Sequence, residues 1–481
     1  MNWYYLAPEL SLGILALAII LLDLVIPKKS WLAGISLVGL LVPLAFNIAF
    51  WGTRDTAFGG ALIIDNFALF FKFLFLGVAA LVILASIDYV KRFSAYQGEY
   101  YALVLLTTGA MMLMAATGEL ISIYISLETT SIGLYVLAGF LRDRKSSEAG
   151  LKYLVLGAVS SAVLLYGLAF LFGLTGTTDL RAIAAQMPVV RAANPLTLSA
   201  AIVFITAGFG FKIAAIPFQM WVPDVYEGAP TPITAFLSVA SKAAGFAIVL
   251  RVFYLAFGDP SISVDWAALF AVLAAFSMTV GNVVAILQTN IKRLLAYSSI
   301  AQAGYVMVGL AAVSSLDPAR ILGPSGVAFY LLGYAFTNLG AFIAVIAISN
   351  RINSDLISDY AGMFRRAPLL VLAFTLCLVS LTGIPPTVGF IAKIYIFNAA
   401  VQNDLVWLVV VAVVNSAISA YYYLDVVRTM YMGTAPSTEA VPSSPAISAA
   451  LFCAVAGVLI VGLIPSPFLQ LAQTAVASLA R

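Results

Sequence analysis

Histidine is absent from the 481 residues of this chain, and cysteine occurs only twice. The lack of histidine excludes haem or zinc sites with histidine ligands. It also means that any proton relay near neutral pH must use carboxylates, lysines and water. Cys377 and Cys453 lie in apolar runs, so we expect two buried free thiols rather than a disulfide or a metal site.

Charged residues are scarce as well. They make up 9% of the chain, whereas 63% is hydrophobic and the mean hydropathy is +1.06. No soluble core of this size needs so many apolar residues, so the composition predicts an all-α polytopic membrane protein surrounded by lipid. The small net charge of +3 argues against nucleic acid as a partner. Motifs for nucleotides and iron–sulfur clusters, such as GxxxxGKS/T and CxxC, do not occur.

Apolar stretches recur along the chain at lengths that can cross about 30 Å of hydrocarbon, and they predict about fourteen transmembrane helices in one membrane domain, residues 1–481. The first stretch carries Glu9 and Asp23 and lacks a small-residue cleavage site, so we expect a retained helix. The predicted spans lie near residues 3–26, 31–51, 66–87, 100–117, 119–140, 151–174, 198–217, 230–257, 264–288, 293–315, 324–349, 368–399, 404–432 and 445–470.

Lysine and arginine are unevenly distributed between the predicted loops. With the N-terminus outside, most of them fall in inner loops, which agrees with the positive-inside rule and predicts that both termini are outside. Lys72 and Arg251 lie near predicted helix ends and are expected to snorkel to an interface. The inner residues are Lys28, Lys29, Lys91, Arg92, Arg142, Arg144, Lys145, Lys152, Lys292, Arg293, Arg351, Arg365, Arg366 and Arg428, and the outer ones are Arg54, Arg181, Arg191, Arg320 and Arg481.

Two predicted spans are interrupted by proline. Pro217 follows Lys212, and Pro385 and Pro386 precede Lys393. Interrupted helices in matching positions of two halves are typical of transporters built from inverted repeats. Both lysines also follow a Gly-Phe pair, although so short an echo is explained equally well by chance.

Four of the ionisable residues inside predicted spans cannot easily reach an interface. A charge at mid-bilayer costs at least about 2.5–3.5 kcal/mol on insertion scales, so such residues are rare and usually functional. A structural interpretation, in which each belongs to a salt bridge between helices, stays open. Three lysines against one evident carboxylate argue against it for the whole set, which consists of Glu128, Lys212, Lys242 and Lys393.

Small polar side chains accompany these charges at helical spacing and are suited to holding water. Gly208 and Gly389 each precede a lysine by four residues, so we expect backbone or water to come close to those ammonium groups. The residues on the predicted face of Glu128 are Tyr124, Ser131 and Tyr135, and those on the face of Lys242 are Thr234 and Ser238.

A pair of Glu128 and Lys212 that opens and closes would favour the charged forms when closed and the neutral forms when open. Passing the proton on to Lys242 and Lys393 would make a relay within the membrane. The sequence supplies the residues of this hypothesis but not their distances.

Other polar residues leave alternatives open. Asp224 and Glu227 either take part in proton uptake or cap the following helix, and Arg293 is explained by the positive-inside rule alone. Tyr421, Tyr422 and Tyr423 fit packing or an interfacial belt better than a quinone site.

Three segments carry a specific resemblance that extends over essentially the whole chain. They closely resemble the subunit N type of the antiporter-like membrane-arm family of complex I, the NADH-quinone oxidoreductase of respiratory and photosynthetic membranes. The segments are FKIAAIPFQMWVPDVYEGAPTPITAFLSVASKAAGF (211–246), NIKRLLAYSSIAQAGY (290–305) and SLTGIPPTVGFIAKIYIF (380–397).

The resemblance implies a proton-translocating subunit whose relay residues are Glu128, Lys212, Lys242 and Lys393. Two inverted five-helix repeats, helices 4–8 and 9–13 with broken helices 7 and 12, would follow the N-terminal helices and precede helix 14. These regions are 1–95, 100–257, 264–432 and 445–470. The complex would oxidise NAD(P)H or ferredoxin and reduce quinone.

The same resemblance implies that this subunit has no redox centre and binds no cofactor, with flavin, iron–sulfur clusters and quinone elsewhere in the complex. Its partners would be other membrane-arm subunits and lipids, in a bacterial plasma membrane or a thylakoid. Gln219 stands where many relatives have histidine, so a titrating role there is doubtful.

Two alternatives compete with this function. A subunit of a multi-subunit sodium/proton antiporter would share the fold, but the stretch YEGAPTPITAFLSVASKAAGF (226–246) favours the redox complex. A scaffold that no longer pumps would have little reason to keep unpaired lysines in lipid.

Overall fold

The computed structural model describes residues 3–93, 95–313, 321–435, 437 and 439–479. Within these residues, thirteen helical runs are long and apolar enough to cross a membrane, and two shorter apolar helices, Pro368–Thr382 and Val388–Val401, occupy the predicted twelfth span. The predicted all-α polytopic fold is therefore confirmed. The division into two inverted repeats stays a prediction, and Arg320 and Arg481 lie outside the described residues.

The N-terminal region contains four spans and a small hairpin. One span, Ser30–Phe50, is formed by two helices that meet at Leu40. In the hairpin, β1 (Asp55–Ala57) pairs antiparallel with β2 (Leu62–Ile64). Asp65 caps the following helix by accepting a hydrogen bond from Ala68 N. The helices are Ala7–Val25 (α1), Ser30–Gly39 (α2), Leu41–Phe50 (α3), Asn66–Ser86 (α4) and Gln97–Ala116 (α5), with 3₁₀ turns at Trp3–Leu6, Phe58–Gly60 and Tyr89–Arg92.

The middle of the chain contains the first helix break. Thr231–Ala256 is one continuous run in which π-helical segments, Leu237–Ser241 and Val252–Ala256, alternate with α-helix. The helices are Leu120–Ala138 (α6), Arg144–Thr175 (α7), Leu180–Ala193 (α8), Pro195–Ile213 (α9), Val222–Gly228 (α10), Thr231–Phe236 (α11) and Lys242–Arg251 (α12). Residues 175–197, which connect two of the predicted spans, therefore contain α8.

The last part of the chain contains the second break, between Thr382 and Val388. Its most buried spans, Ile291–Ala311 and Leu322–Ile352, lie inside the bundle. The helices are Pro260–Ala285 (α13), Ile291–Ala311 (α14), Leu322–Ile352 (α15), Met363–Arg366 (α16), Pro368–Thr382 (α17), Val388–Val401 (α18), Val406–Met432 (α19), Pro445–Leu463 (α20) and Ser466–Val476 (α21), with a 3₁₀ turn at Ile357–Tyr360.

Connections that the charge distribution assigns to one side do meet at one end of the bundle. Residues 87–93, 286–290, 353–367 and 439–444 lie together there. The bridge between Asn290 and Leu356 and the hydrogen bonds from Arg92 to Asn350 O and from Val441 N to Arg366 O show this. We call this the basic end. At the opposite end, Leu62 bridges to Thr117 and Glu119 to Asp179.

Lys72 and Arg251 do not snorkel, so this expectation was wrong. Lys72 is buried and lies 2.6 Å from Glu9 Oε1 on α1. The Arg251 guanidinium donates two hydrogen bonds to Asp65, of 2.7 and 3.0 Å, and a third to Ala115 O. Both cations find a carboxylate inside the protein. The Glu9–Lys72 pair joins α1 to α4, and the Asp65–Arg251 pair attaches the start of α4 to the run Thr231–Ala256.

Replacing Glu9 by glutamine tests the first of these pairs. The amide oxygen can still accept a hydrogen bond from Lys72, but the buried ammonium loses its counter-charge, and we expect a loss of about 1–3 kcal/mol of stability. The thermal unfolding of the purified assembly measures this change. Glu148→Gln, at a largely exposed pair with Lys152, is the control and should cost less than about 1 kcal/mol. Equal shifts for the two variants would contradict the assignment.

The expectation of two buried thiols is half right. Cys377 is buried in α17, whereas Cys453 is exposed on α20. An apolar run in a membrane helix does not distinguish a residue that faces lipid from one that faces the bundle, because both surroundings are apolar.

Candidate functional site

Lys212 lies in the last turn of α9, directly before the first break. Ala214 caps the helix with a left-handed backbone, φ +61°, and Ala215 N donates to Gly210 O. Pro217 has no N–H to continue the helix, and the Trp221 side chain closes the gap by donating to Phe211 O at 3.0 Å. The break predicted after Lys212 is present.

The Lys212 ammonium is buried and has no hydrogen-bond partner among the described residues. Its Nζ lies 6.0 Å from the centre of the Tyr135 ring and 5.9 Å from that of Tyr153. A cation at this distance from aromatic faces is attracted by their quadrupoles, but it keeps its donors free. The site can therefore accommodate water or a carboxylate that moves in.

Glu128 is half-buried on α6 and does not pair with Lys212 in this structure. Its carboxylate instead accepts a hydrogen bond from Ser161 on α7. Of the predicted face, Tyr135 reaches Lys212, Ser131 donates to Leu127 O of its own helix, and Tyr124 is half-buried. The structure thus corresponds to the open arrangement of the hypothesis.

Lys242 is buried midway along the run Thr231–Ala256. Its ammonium donates to the carbonyl oxygen and to the hydroxyl of Ser299 on α14, at 2.5 Å each. On the other side, Gly245 lies against α9, where a Cβ atom would come within 2.9 Å of Ile213 Cγ2. This close contact brings the backbones that carry Lys212 and Lys242 together.

The hydroxyl stripe predicted for Lys242 is not arranged as expected. Thr234 donates to Tyr226 O at 3.0 Å, and Ser238 receives a hydrogen bond from Asn338 at 2.7 Å. The π-helical segment Leu237–Ser241 explains the difference, because its wider turn shifts the register by which a spacing of four residues aligns side chains. Within the described residues, no hydrogen bond joins either hydroxyl to Lys242.

Lys393 lies in α18, one turn after the second break. Its ammonium donates to Thr382 O at 2.8 Å and to Ser416 Oγ at 3.1 Å, and it lies 4.3 Å from the centre of the Tyr305 ring. Gly383, with φ +91°, allows the chain to turn here, and a Cβ atom would come within 2.9 Å of Lys393 Cδ. The break predicted at Pro385 and Pro386 therefore delivers backbone carbonyl groups to this lysine.

The glycines expected to open space beside the lysines have another role. A Cβ atom at Gly208 would come within 2.4 Å of Leu164 Cβ on α7, and one at Gly389 within 1.9 Å of Ser380 O. Both glycines permit close packing of backbones rather than access to an ammonium. Gly383 and Gly245 are the glycines that lie against Lys393 and Lys212.

A polar connection between Lys242 and Lys393 was not recognised in the sequence. Ser299 and Gln302 lie three residues apart and so share a face of α14. Ser299 binds Lys242, and Gln302 donates to Leu381 O at 3.0 Å, the carbonyl that also lies 3.4 Å from Lys393 Nζ. A glutamine three residues after two serines in a deeply buried helix is the signal that could have revealed this connection.

Gln302→Leu is expected to lower turnover by about tenfold, less than the loss of a titrating group, because the glutamine positions the path without exchanging protons itself. The activity that the resemblance implies, quinone reduction coupled to proton pumping by the purified assembly, would measure the effect, with Gln402→Leu, exposed at the end opposite the basic end, as control. If Gln302→Leu changes thermal unfolding but leaves turnover intact, Gln302 is structural.

Two of the three clustered tyrosines, Tyr422 and Tyr423, are buried, which agrees with the packing alternative, and they also belong to the same hydrogen-bond network. Tyr423 bonds to Ser298, and Tyr422 donates to Asn282 Oδ1 at 2.9 Å. Asn282 in turn donates to Tyr305 OH at 3.3 Å. Tyr421, in contrast to Tyr422 and Tyr423, is exposed.

Asp224 and Glu227 form a charged cluster at the basic end. Arg293 donates to Asp224 at 2.8 Å and to Glu227 at 3.0 Å, and Lys152 lies 2.6 Å from Asp224. Partial burial opposes ionisation, but the hydrogen bonds from Lys152 and Arg293 lower the pKa of Asp224 below its ordinary value. Neither carboxylate caps α11, which has no side-chain cap, so the capping alternative was wrong. Because Arg293 forms ion pairs with both carboxylates, the positive-inside rule alone does not explain it.

The described residues contain no group of three or more His, Cys, Asp or Glu side chains that could hold a metal ion. The described residues do contain buried lysines that contact hydroxyl, carbonyl and aromatic groups. Such residues inside a bundle of membrane helices with two broken spans are typical of the class of antiporter-like membrane proteins.

Comparison with known proteins agrees with this class and narrows it. Residues 116–419 match the family described as "NADH:quinone oxidoreductase/Mrp antiporter, TM". Two curated relatives named NADH-quinone oxidoreductase subunit N are 47% identical (Dehalococcoides mccartyi, 97% of this chain and 98% of the relative) and 46% identical (Trichlorobacter lovleyi, 99% and 97%). The chain belongs to the NADH-quinone oxidoreductase subunit N family.

Solved structures show the same fold. A chain of respiratory complex I from Thermus thermophilus matches with a TM-score of 0.80 at 34% identity, covering 96% of this chain and 98% of that one. A chain of the Mrp complex from Dietzia sp. DQ12-45-1b matches with a TM-score of 0.84 at 20% identity, covering 100% and 98%, which shows the fold alone.

Proposed function

We propose that this chain translocates protons within the membrane arm of an NADH-quinone oxidoreductase. The proton path runs through Glu128, Lys212, Lys242 and Lys393, with Ser299 and Gln302 connecting the last two. The relatives named for this complex support the assembly in which it works, and the buried side chains support the path.

The observation that carries the proposal is the surroundings of Lys242 and Lys393. Both ammonium groups are buried, and in the part of the chain that the structure describes both bind neutral oxygens with no carboxylate partner. An uncompensated charge inside a membrane is costly, and ionisable residues kept there typically belong to proton relays. A purely structural lysine would be expected to have a partner like those of Lys72 and Arg251.

Movement of Glu128 supplies the switch in this proposal. In the open arrangement, its carboxylate is held by Ser161 and the Lys212 ammonium is free to bind water. Rotation of Glu128 towards Lys212 would stabilise the charge of the lysine, and rotation back would favour release of its proton to Lys242. The charged cluster of Asp224 and Glu227 lies at the basic end, near the start of the helix that carries Lys242, and is suited to proton uptake.

The rest of the assembly follows from the same proposal. Electrons pass through flavin and iron–sulfur clusters in other subunits, quinone is reduced there, and neighbouring membrane-arm subunits transmit the coupling. The chain spans a bacterial plasma membrane or a thylakoid, with both termini on the outer side and the basic end inside.

Purification and reconstitution of the complex test this function. We expect iron–sulfur subunits to co-purify with the chain and NADH-driven quinone reduction to pump protons into liposomes in sodium-free buffer. A sodium/proton antiporter subunit would instead exchange the two ions without an electron donor. Exchange driven by a sodium gradient, with no co-purified redox subunits, would overturn the proposal.

A further inference from the structure

A polar cavity lies at the basic end, away from the lysines of the proton path. It has a volume of about 410 Å³ and is formed where the end of α4 and its 3₁₀ turn, the end of α15 and the start of α20 meet. Its polar lining includes Asp88, Lys91, Arg92, Asn350, Arg351 and Ser444.

The charges of this cavity favour an anion. Three cationic side chains and one carboxylate line it, which leaves a net charge of +2. Lys91 pairs with Asp88 at 2.6 Å, and Arg92 lies over the Tyr89 ring and donates to Asn350 O at 3.4 Å. Arg351 is exposed and has no hydrogen bond or ion pair among the described residues, so its five donors are available.

The carboxylate in the cavity offsets only part of the positive charge and pairs with its neighbours. Partial burial acts against ionisation of Asp88, but hydrogen bonds from Lys91 and Ser444 lower its pKa. Asp88 therefore stays charged at neutral pH and holds Lys91 at one wall. Ser444 also caps α20 by accepting a hydrogen bond from Ile447 N, so the positive end of that helix dipole lies at the same wall.

The position of the cavity indicates what kind of anion it receives. α4, α15 and α20 are membrane spans, so their ends lie at the level of lipid headgroups on the side that the lysine and arginine distribution predicts as inner. Ala347 and Ile447 add apolar surface from two of these spans. Basic pockets between membrane helices on this side are suited to the phosphate groups of anionic lipids.

We propose that this cavity binds the phosphate headgroup of an anionic phospholipid, with Arg351 and Arg92 as its principal ligands. Arginine matches phosphate through paired N–H donors, whereas Lys91 contributes mainly charge. The bound lipid would tie α20 to α4 and α15. The site is independent of the proton path and stands whether or not that path is correct.

Photo-crosslinking of the intact purified complex with a diazirine-labelled phosphatidylglycerol tests the proposal. Labelling is read on the peptides that contain Arg351 and Ser444, so lipid bound elsewhere on the complex does not interfere. We expect Arg351→Gln to weaken labelling about fivefold, the effect of one charge near the membrane surface. Asp88→Asn, which raises the net charge, should strengthen it, and Arg365→Gln, at the basic end but outside the cavity, should leave it unchanged.

Competition separates a lipid from a soluble anion. Unlabelled phosphatidylglycerol should displace the probe, whereas phosphatidylcholine and millimolar inorganic phosphate should not. Displacement by inorganic phosphate alone would assign the cavity to a soluble phosphate and overturn the lipid. Labelling that is indifferent to Arg351→Gln and Asp88→Asn would show that the cavity is not the site.

Discussion

Arg251→Leu is expected to destabilise the protein by about 3–5 kcal/mol, because removing one partner of a buried ion pair leaves the other charge uncompensated. The guanidinium donates to both oxygens of Asp65 and to the carbonyl of Ala115 in the last turn of α5. Loss of the guanidinium removes contacts at the start of α4 and near the ends of α5 and of the run Thr231–Ala256. We therefore expect a lower temperature of thermal unfolding and poor incorporation of the chain into the complex.

The control for this change lies at the same end of the bundle. Arg191 pairs with Asp265 between α8 and α13, but both side chains are partly exposed. An exposed pair is worth about 0.2–1 kcal/mol, so Arg191→Leu should be nearly silent. If the two leucine variants unfold at the same temperature, the buried pair does not hold the N-terminal helices in place.

Asp65 and Arg251 also show where inference from the sequence stopped. Near a helix end, an arginine next to apolar residues is compatible with snorkelling, and nothing local reveals a carboxylate 186 residues away. The same holds for Glu9 and Lys72 on α1 and α4. Pairing between distant segments depends on how helices pack, which hydropathy does not encode.

The helices and the breaks could be predicted because their causes are local. Apolar length sets the spans, and Pro217, Pro385 and Pro386 remove the N–H groups that would continue a helix. The lysines Lys212 and Lys393 could be chosen because a charge in an apolar run is itself the signal. Burial of both lysines is observed in the structure.

The surroundings of those lysines could not be predicted to the same depth. Helical spacing placed Thr234 and Ser238 beside Lys242, but the π-helical segment Leu237–Ser241 changes the register and Ser299 of another helix takes their place. A wider turn has no clear sequence signature. Gln302 was not predicted because the site residues were chosen by charge, and Gln302 is a neutral side chain that donates to a carbonyl group.

Replacing Lys242 is expected to have the largest effect on function. Lys242 is the central charge of the proposed path, and its ammonium donates to the carbonyl oxygen and the hydroxyl oxygen of Ser299. Loss of a positioned proton-transfer group typically costs about a hundredfold or more in rate. Because electron transfer is proposed to be coupled to pumping, we expect quinone reduction to fall along with proton translocation.

Two variants and one control separate function from folding. Lys242→Ala removes the side chain, and Lys242→Met removes the charge while filling most of the volume, so that packing between the helices is preserved. Arg428→Ala removes a basic residue whose side chain is 71% exposed and pairs with Asp425 of the same helix, and it should leave both activities unchanged. Assembly of each variant complex is verified by its subunit composition and thermal unfolding.

The measurement that tests the proton path most directly is NADH-driven proton pumping and quinone reduction by the reconstituted complex, with wild-type Lys242 compared against Lys242→Ala and Lys242→Met. The proposed path predicts that both activities collapse together in complexes that are fully assembled. Unchanged pumping and unchanged quinone reduction in an intact variant complex would show that Lys242 is structural and that the path is wrong.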